Sequence, residues 1–138
     1  MAGYSGTPLH KKLGMKEGHR VALYGEPPDF LDLIGPASKA LAISRRPRSG
    51  RFSVIVFFTK SAALLQKALP QLKSRMEPAA GLWIAWPKKA SGVKTDVTED
   101  TVRAFGLAAG LVDNKVCAID ETWSGLRLVI RVKDRARV

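Results

Sequence analysis

Apolar residues recur along this chain in two rhythms. Nearly continuous runs stand at Arg20–Tyr24, Phe52–Phe58 and residues 82–86, with weaker ones at 40–44, 111–119 and 126–132. The strongest, Phe52-Ser53-Val54-Ile55-Val56-Phe57-Phe58, is β-branched and aromatic and barely alternates, as a strand covered on both faces does. Between the runs the spacing turns helical. Leu64, Leu65, Ala68, Leu69 and Leu72 share one face of residues 61–76. Pro70 interrupts that face, and an interior proline costs about 3 kcal/mol, so the pattern predicts a kink or two abutting helices. Pro78 and Gly81 close the element. A second helix is predicted over 98–109. Thr98 is its N-cap, Thr101 stands where a capping box wants Glu or Gln, Glu99 and Asp100 complement the dipole, and Gly110 ends it.

Two shorter helices are predicted near the start. One covers residues 8–13, with Thr7 as cap, Pro8 in the first turn and Gly14 as terminator. The other covers Phe30–Ile34, capped by Asp29 and ended by Gly35-Pro36. Residues 45–50 are polar and rich in breakers, hence a loop. Asp113-Asn114 marks an irregularity in the fifth strand, residues 120–125 form a hairpin loop, and the basic tail 133–138 frays. Alternating strands and helices predict a single three-layer α/β domain over residues 1–132. Its sheet of six strands is mostly parallel, and the short loop before the last strand makes that strand antiparallel to its predecessor.

Parallel strands share one carboxyl edge, where open α/β sheets bind ligands. Three distinctive loops are expected there: Gly25-Glu26-Pro27-Pro28-Asp29, residues 87–97, and residues 120–125. In the middle one Lys88, Lys89 and Lys94 supply positive charge, and Ser91 and Gly92 offer backbone donors beside the Thr98 helix start. Glu26, Asp96, Asp120 and Glu121 supply carboxylates. Trp86 and Trp123 are placed to wall a pocket or to pack, and Trp83 reads as core. The set suits a phosphate-bearing or other anionic ligand with a planar group, such as a nucleotide. His10 and His19 read as surface residues and Cys117 as a small buried hydrophobe. No G-x-S-x-G, phosphate-loop or H-E-x-x-H motif is present.

Composition adds two constraints. Hydrophobic residues make up 46% of the 138 and charged residues 25%, ordinary for a globular protein. One cysteine excludes an internal disulfide, no Cys/His pattern suggests zinc, and no apolar run reaches the ~20 residues that span a bilayer. A cytoplasmic location without a membrane partner is the simple expectation. The net charge of +11, from 23 Lys and Arg against 12 Asp and Glu, brings nucleic acid in as a second class of partner. The densest basic cluster is Arg45, Arg46, Arg48 and Arg51, and a second lies at residues 131–137.

Residues 13–23, Leu-Gly-Met-Lys-Glu-Gly-His-Arg-Val-Ala-Leu, look like the lead-in to the first strand of the S-adenosylmethionine-dependent methyltransferase fold. The closing helix, strand and antiparallel return strand resemble its carboxyl half. The resemblance implies a shortened Rossmann-like domain with strand order 2-1-3-4-6-5, and S-adenosylmethionine as cofactor. Two features depart from it. The turn Tyr24-Gly25-Glu26-Pro27-Pro28 has one glycine and two prolines where a glycine-rich turn belongs, and Ser44-Arg45-Arg46 stands where an acidic residue would hold ribose. The chain is also similar to a bacterial family of small proteins known as a domain of unknown function. The shared words are Ser5-Gly6-Thr7-Pro8-Leu9, Lys12-Leu13-Gly14, Trp86-Pro87-Lys88-Lys89-Ala90-Ser91-Gly92, Thr95-Asp96 and Asp120-Glu121-Thr122-Trp123-Ser124-Gly125-Leu126. That likeness implies the fold and no activity. Three readings follow: a binding protein for an anionic, nucleotide-like ligand, a nucleic-acid accessory protein, and a degenerate methyltransferase.

Overall fold

Six apolar runs become the strands of one sheet in the computed structural model, which describes residues 6–137. They are β1 (Arg20–Tyr24), β2 (Ala42–Arg45), β3 (Phe52–Phe58), β4 (Met76–Pro87), β5 (Leu111–Ala118) and β6 (Trp123–Ile130). The order is β2-β1-β3-β4-β6-β5. β1 to β4 pair in parallel, and β6 runs antiparallel to both β4 and β5. The order and directions expected from the methyltransferase resemblance are those observed.

The central strands of the sheet are buried on both faces, whereas the edge strands β2 and β5 are only partly covered. Helices α3 (Ala62–Ser74) and α4 (Glu99–Ala108) lie on one side, over Ala22, Ile55, Leu82, Ile84, Trp86, Leu126 and Leu128. Helices α1 (Leu9–Lys12) and α2 (Phe30–Ile34) lie on the other, over Val21, Leu23, Val54, Val56 and Trp83. Val54, Ile55 and Val56 are each at most 3% exposed, which explains why β3 shows no polar face in its sequence. The Trp83 indole N–H donates to the Leu13 carbonyl at 3.0 Å, fastening the first helix across the sheet.

Several boundaries differ from expectation. α3 runs unbroken over 13 residues and includes Pro70, so of the two outcomes expected there, a kink or two abutting helices, the second does not occur. That proline is exposed, so water can solvate the carbonyl left without a partner one turn earlier. β4 begins before Pro78 rather than after Gly81. The register jumps from Phe52↔Met76 to Val54↔Gly81, so the proline sits in a bulge where no ladder N–H is required. The cap of α1 is Pro8, the Asp29 side chain makes no cap hydrogen bond, and the chain continues after α2 as a 3-10 helix, Gly35–Ala40. As far as Arg137 the tail does not fray; residue 138 lies outside the described residues. Val132–Arg137 form a 3-10 helix, and Arg135 Nε donates to the Ile130 carbonyl at 3.0 Å. The expected irregularity in β5 is present as a register shift between Asp113 and Lys115.

The connection from β2 to β3 is the fold's most unusual feature. Parallel strands are ordinarily joined by a crossover of a dozen residues or more, often a helix. Here residues 46–51 suffice. Six extended residues reach about 20 Å, barely enough to return across a five-residue strand. The link crosses β1 on the α3 side, where the Tyr24 hydroxyl donates to the Pro47 carbonyl at 2.7 Å. The link itself contains no helix.

Candidate functional site

The three loops do emerge at one rim. β4 and the β5–β6 turn are bonded there: the Lys88 amide donates to the Thr122 carbonyl at 2.7 Å, and Pro87 stands opposite Trp123 in the ladder. The turn is built by Asp120, whose Oδ1 accepts from the Thr122 and Trp123 amides at 2.8 and 2.7 Å. The Lys88 ammonium donates to the Asp120 carbonyl at 2.7 Å. Lys88 and Asp120 therefore act as parts of the rim's frame.

The two candidate tryptophans do not wall one pocket. Because Trp123 pairs with Pro87, and Trp86 with Ser124, they project from opposite faces of the sheet. Trp86 is 6% exposed and belongs to the core under α3 and α4. Trp123 packs edge-on against Phe58 at 5.2 Å, and Phe58 in turn meets Phe30 edge-on. Asp96 is also engaged. Its Oδ1 accepts from the Ala62 amide at 2.8 Å, while Thr95 Oγ1 donates to the Lys60 carbonyl at 2.8 Å, so this loop closes over the start of α3. Thr98 caps α4 by accepting from the Thr101 amide at 3.2 Å. Glu99, Asp100 and Asp113 surround Arg103, and hydrogen bonds from its guanidinium to Glu99 and Asp113 raise its pKa.

What the structure brings together is the floor and wall of one open cleft of about 560 Å³ between the 87–97 loop and the start of α4. Trp86, Lys89, Gly92 and Lys94 line it with Thr98 and with Glu99, whose carboxylate is paired with Arg103 at 2.7 Å. Gly92 sits at φ 75°, the left-handed turn that ends the 3-10 helix Lys89–Ser91 and folds the two exposed lysines round the opening. Ser91 braces the turn: its hydroxyl donates to the Lys88 carbonyl at 2.6 Å and accepts from the Val93 amide at 3.2 Å. Glu121 is exposed on the neighbouring turn and does not line the cleft. Glu26 lies elsewhere on the rim, paired at 3.3 Å with Arg45 at the end of β2.

Other expectations resolve as follows. Cys117 is half-buried, and desolvation raises its thiol pKa, the opposite of nucleophile activation. His10 is half-buried and lines a separate cleft with Gly14, Met15 and Leu41, so it is not a free surface residue. His19 Nδ1 accepts from the Lys16 amide at 3.1 Å, closing the turn before β1. Among the described residues no His, Cys, Asp and Glu cluster suits a metal, and no helix is long and apolar enough to cross a membrane. Sequence reasoning missed a second opening, beside Tyr24 and the 46–51 link. Its only written trace is the shortness of that link.

The fold is that of S-adenosylmethionine-dependent methyltransferases. A methyltransferase of calicheamicin biosynthesis, solved with S-adenosylhomocysteine bound, matches with a TM-score of 0.62 at 12% identity, over 89% of this chain and 52% of its own. This chain thus spans about half of that enzyme. An S-adenosylmethionine-dependent methyltransferase from Aquifex aeolicus matches with a TM-score of 0.60 at 18% identity, over 87% of this chain and 86% of its own. Magnesium protoporphyrin IX methyltransferase from Synechocystis PCC 6803, solved with S-adenosylmethionine bound, gives 0.60 at 10% identity, over 82% and 70%. At such identities the likeness establishes the fold alone. No protein-family model and no curated protein matches the sequence.

The rim at β1 and β2 is a poor match for the cofactor that this fold implies. Gly25 takes φ 69°, and a Cβ there would lie 2.7 Å from the Phe58 carbonyl oxygen, so the turn is pressed against β3. Pro27 and Pro28 present no N–H. The nearby carboxylate, Glu26, is committed to Arg45 rather than open to ribose hydroxyls.

Proposed function

We propose that this chain binds an anionic, phosphate-bearing ligand of nucleotide type at the carboxyl edge of its sheet, in the cleft under the 87–97 loop. The observation that carries the proposal is the convergence of Lys89, Lys94 and the Gly92 turn on one opening floored by Trp86. Two ammonium groups at an exposed turn attract phosphate as mobile point charges. Trp86 is too buried to stack a base, so it shapes the floor and the ligand is held mainly by its charge. S-adenosylmethionine is not the ligand we assign, because two prolines reduce the donors of the β1 turn and Glu26 there is paired with Arg45.

The test is a thermal-shift series with nucleoside mono-, di- and triphosphates and with S-adenosylhomocysteine. Phosphate-bearing compounds are expected to raise the midpoint, since any ligand bound only by the folded chain stabilises it by mass action. Lys89→Ala with Lys94→Ala is expected to abolish the shift. A shift that survives this double change, or one given by S-adenosylhomocysteine alone, defeats the reading.

A further inference from the structure

The short β2–β3 link contains no helix, and the groove between it and α3 has a composition of its own. It measures about 380 Å³. Its floor is apolar and partly aromatic: Tyr24 and Phe57, ring centroids 6.0 Å apart, beside Ala68 and Leu72 of α3. Leu64, on the same wall, is 60% exposed, an unusual position for a leucine on a helix that packs on a core. The rim is cationic. Arg46 and Arg48 come from the link and Arg75 from the end of α3. No carboxylate lines the groove, and none of the three arginines takes part in an ion pair among the described residues.

We infer that this groove binds single-stranded nucleic acid, bases against Tyr24, Phe57 and Leu64, phosphates on Arg46, Arg48 and Arg75. Charge complementarity selects the occupant. Three guanidinium groups with no acidic counterpart, on a chain of net charge +11, call for a polyanion. Arginine forks suit phosphate oxygens. An apolar, aromatic floor adds what a duplex cannot use, since its bases are turned inward and only unpaired bases offer a ring face. The link is held in position for this role. Tyr24 anchors Pro47, the Arg46 amide donates to the Leu23 carbonyl at 2.8 Å, and the Arg20 guanidinium covers the Phe52 ring at 5.1 Å beside Gly50. The groove does not share lining residues with the cleft proposed above for a phosphate-bearing ligand.

The experiment measures fluorescence anisotropy of labelled 15-nucleotide oligo-dT and oligo-rU with the full chain across a salt series. Binding is expected to weaken with salt, by about 0.7 in log–log slope for each phosphate neutralised. Arg46→Asn with Arg48→Gln is expected to lower affinity at least tenfold and to flatten the slope by about 1.4, two contacts' worth. Asparagine is chosen because Arg46 sits at φ 49°, a conformation asparagine tolerates. Phe57→Leu keeps the apolar volume and is expected to weaken binding by roughly five- to a hundredfold, the loss of one base–aromatic stack. Lys39→Ala with Lys133→Ala, exposed lysines that line neither opening, is expected to leave oligonucleotide affinity within twofold, which separates this groove from the basic surface at large. Affinity of the arginine double variant within twofold of the parent overturns the inference. So does a duplex of equal length that binds as tightly, or polyglutamate that competes as well as unlabelled oligo-dT, because either marks an unspecific basic surface.

Discussion

The Lys88 ammonium donates to the Asp120 carbonyl at 2.7 Å, joining the end of β4 to the turn between β5 and β6. Two of the chain's distinctive words, the Trp-Pro-Lys-Lys loop and the Asp-Glu-Thr-Trp turn, thus meet in a structural bond. Hydrogen bonds from charged donors contribute about 1.5–3 kcal/mol when buried, and less where water has access. Lys88→Met is therefore expected to destabilise the fold by about 1–2 kcal/mol. Lys89→Ala and Lys94→Ala, on exposed side chains, are expected to stay within about 0.5 kcal/mol of the parent. Urea denaturation of the three variants checks the contrast. Equal losses for all three would mean that the loop, rather than this bond, carries the effect.

Asp96 tests the same distinction at the start of α3. Its carboxylate meets the Ala62 amide, one of the helix donors that has no partner inside the helix, while the Ser61 hydroxyl meets the Leu64 amide at 3.2 Å. Removing a capping acceptor costs about 1 kcal/mol. Asp96→Ala is expected to lose that much, and Thr98→Ala a similar amount at α4. Because the Asp96 side chain is spent on the helix, Asp96→Asn is expected to leave any thermal shift by a phosphate-bearing ligand in place. Loss of that shift with unchanged stability would return Asp96 to the site.

The architecture was legible because every level of the sequence agreed on it. β3 reads as buried on both faces and is so; the residue words at both ends resemble one fold, and the strand order follows that fold. The site was legible only as a location. Strand direction placed Lys88, Asp120 and Trp123 at a common rim, which the Lys88 to Thr122 hydrogen bond bears out. It could not say that a one-residue step in register would send Trp86 and Trp123 to opposite faces. Nor does a carboxylate's sequence position reveal whether a backbone amide already holds it, as happens to Asp96 and Asp120. Pro78 misled for a related reason. A proline's cost depends on whether its missing N–H had a partner to lose, and Pro78 sits where a bulge removes the demand.

Gly25 is where backbone geometry leaves no substitute. Its φ of 69° costs an L-residue about 1–2 kcal/mol, and a Cβ would come within 2.7 Å of the Phe58 carbonyl oxygen, a backbone atom that cannot swing aside. Gly25→Ala is expected to destabilise by at least about 2 kcal/mol. Gly92→Ala, at φ 75° with open space around it, is expected to lose only the conformational part, about 1 kcal/mol. Chemical denaturation of the pair separates the steric cost from the torsional one. Similar losses would show that β1 and β3 can part at this turn without penalty.

Cys117 carries a pH prediction with a definite sign. It sits in β5 half-buried beneath the α1 face, and burial raises its thiol pKa against the smaller opposing pull of Lys12 and Lys115. The folded chain therefore holds the thiol proton more tightly than the unfolded chain, whose cysteine ionises near pH 8.5. Stability is unaffected below that pH. It falls as pH climbs above about 8.5 toward the folded-state pKa, because there the unfolded chain releases a proton that the folded chain keeps. Cys117→Ala is expected to remove this part of the alkaline decline, as measured by urea midpoints at pH 7, 8.5 and 9.5. Iodoacetamide labelling of the native protein is expected to stay slower than that of a free thiol across the same range. Rapid labelling at pH 7 would mean that the thiolate is stabilised in the fold, and the pH slope would then have the reverse sign.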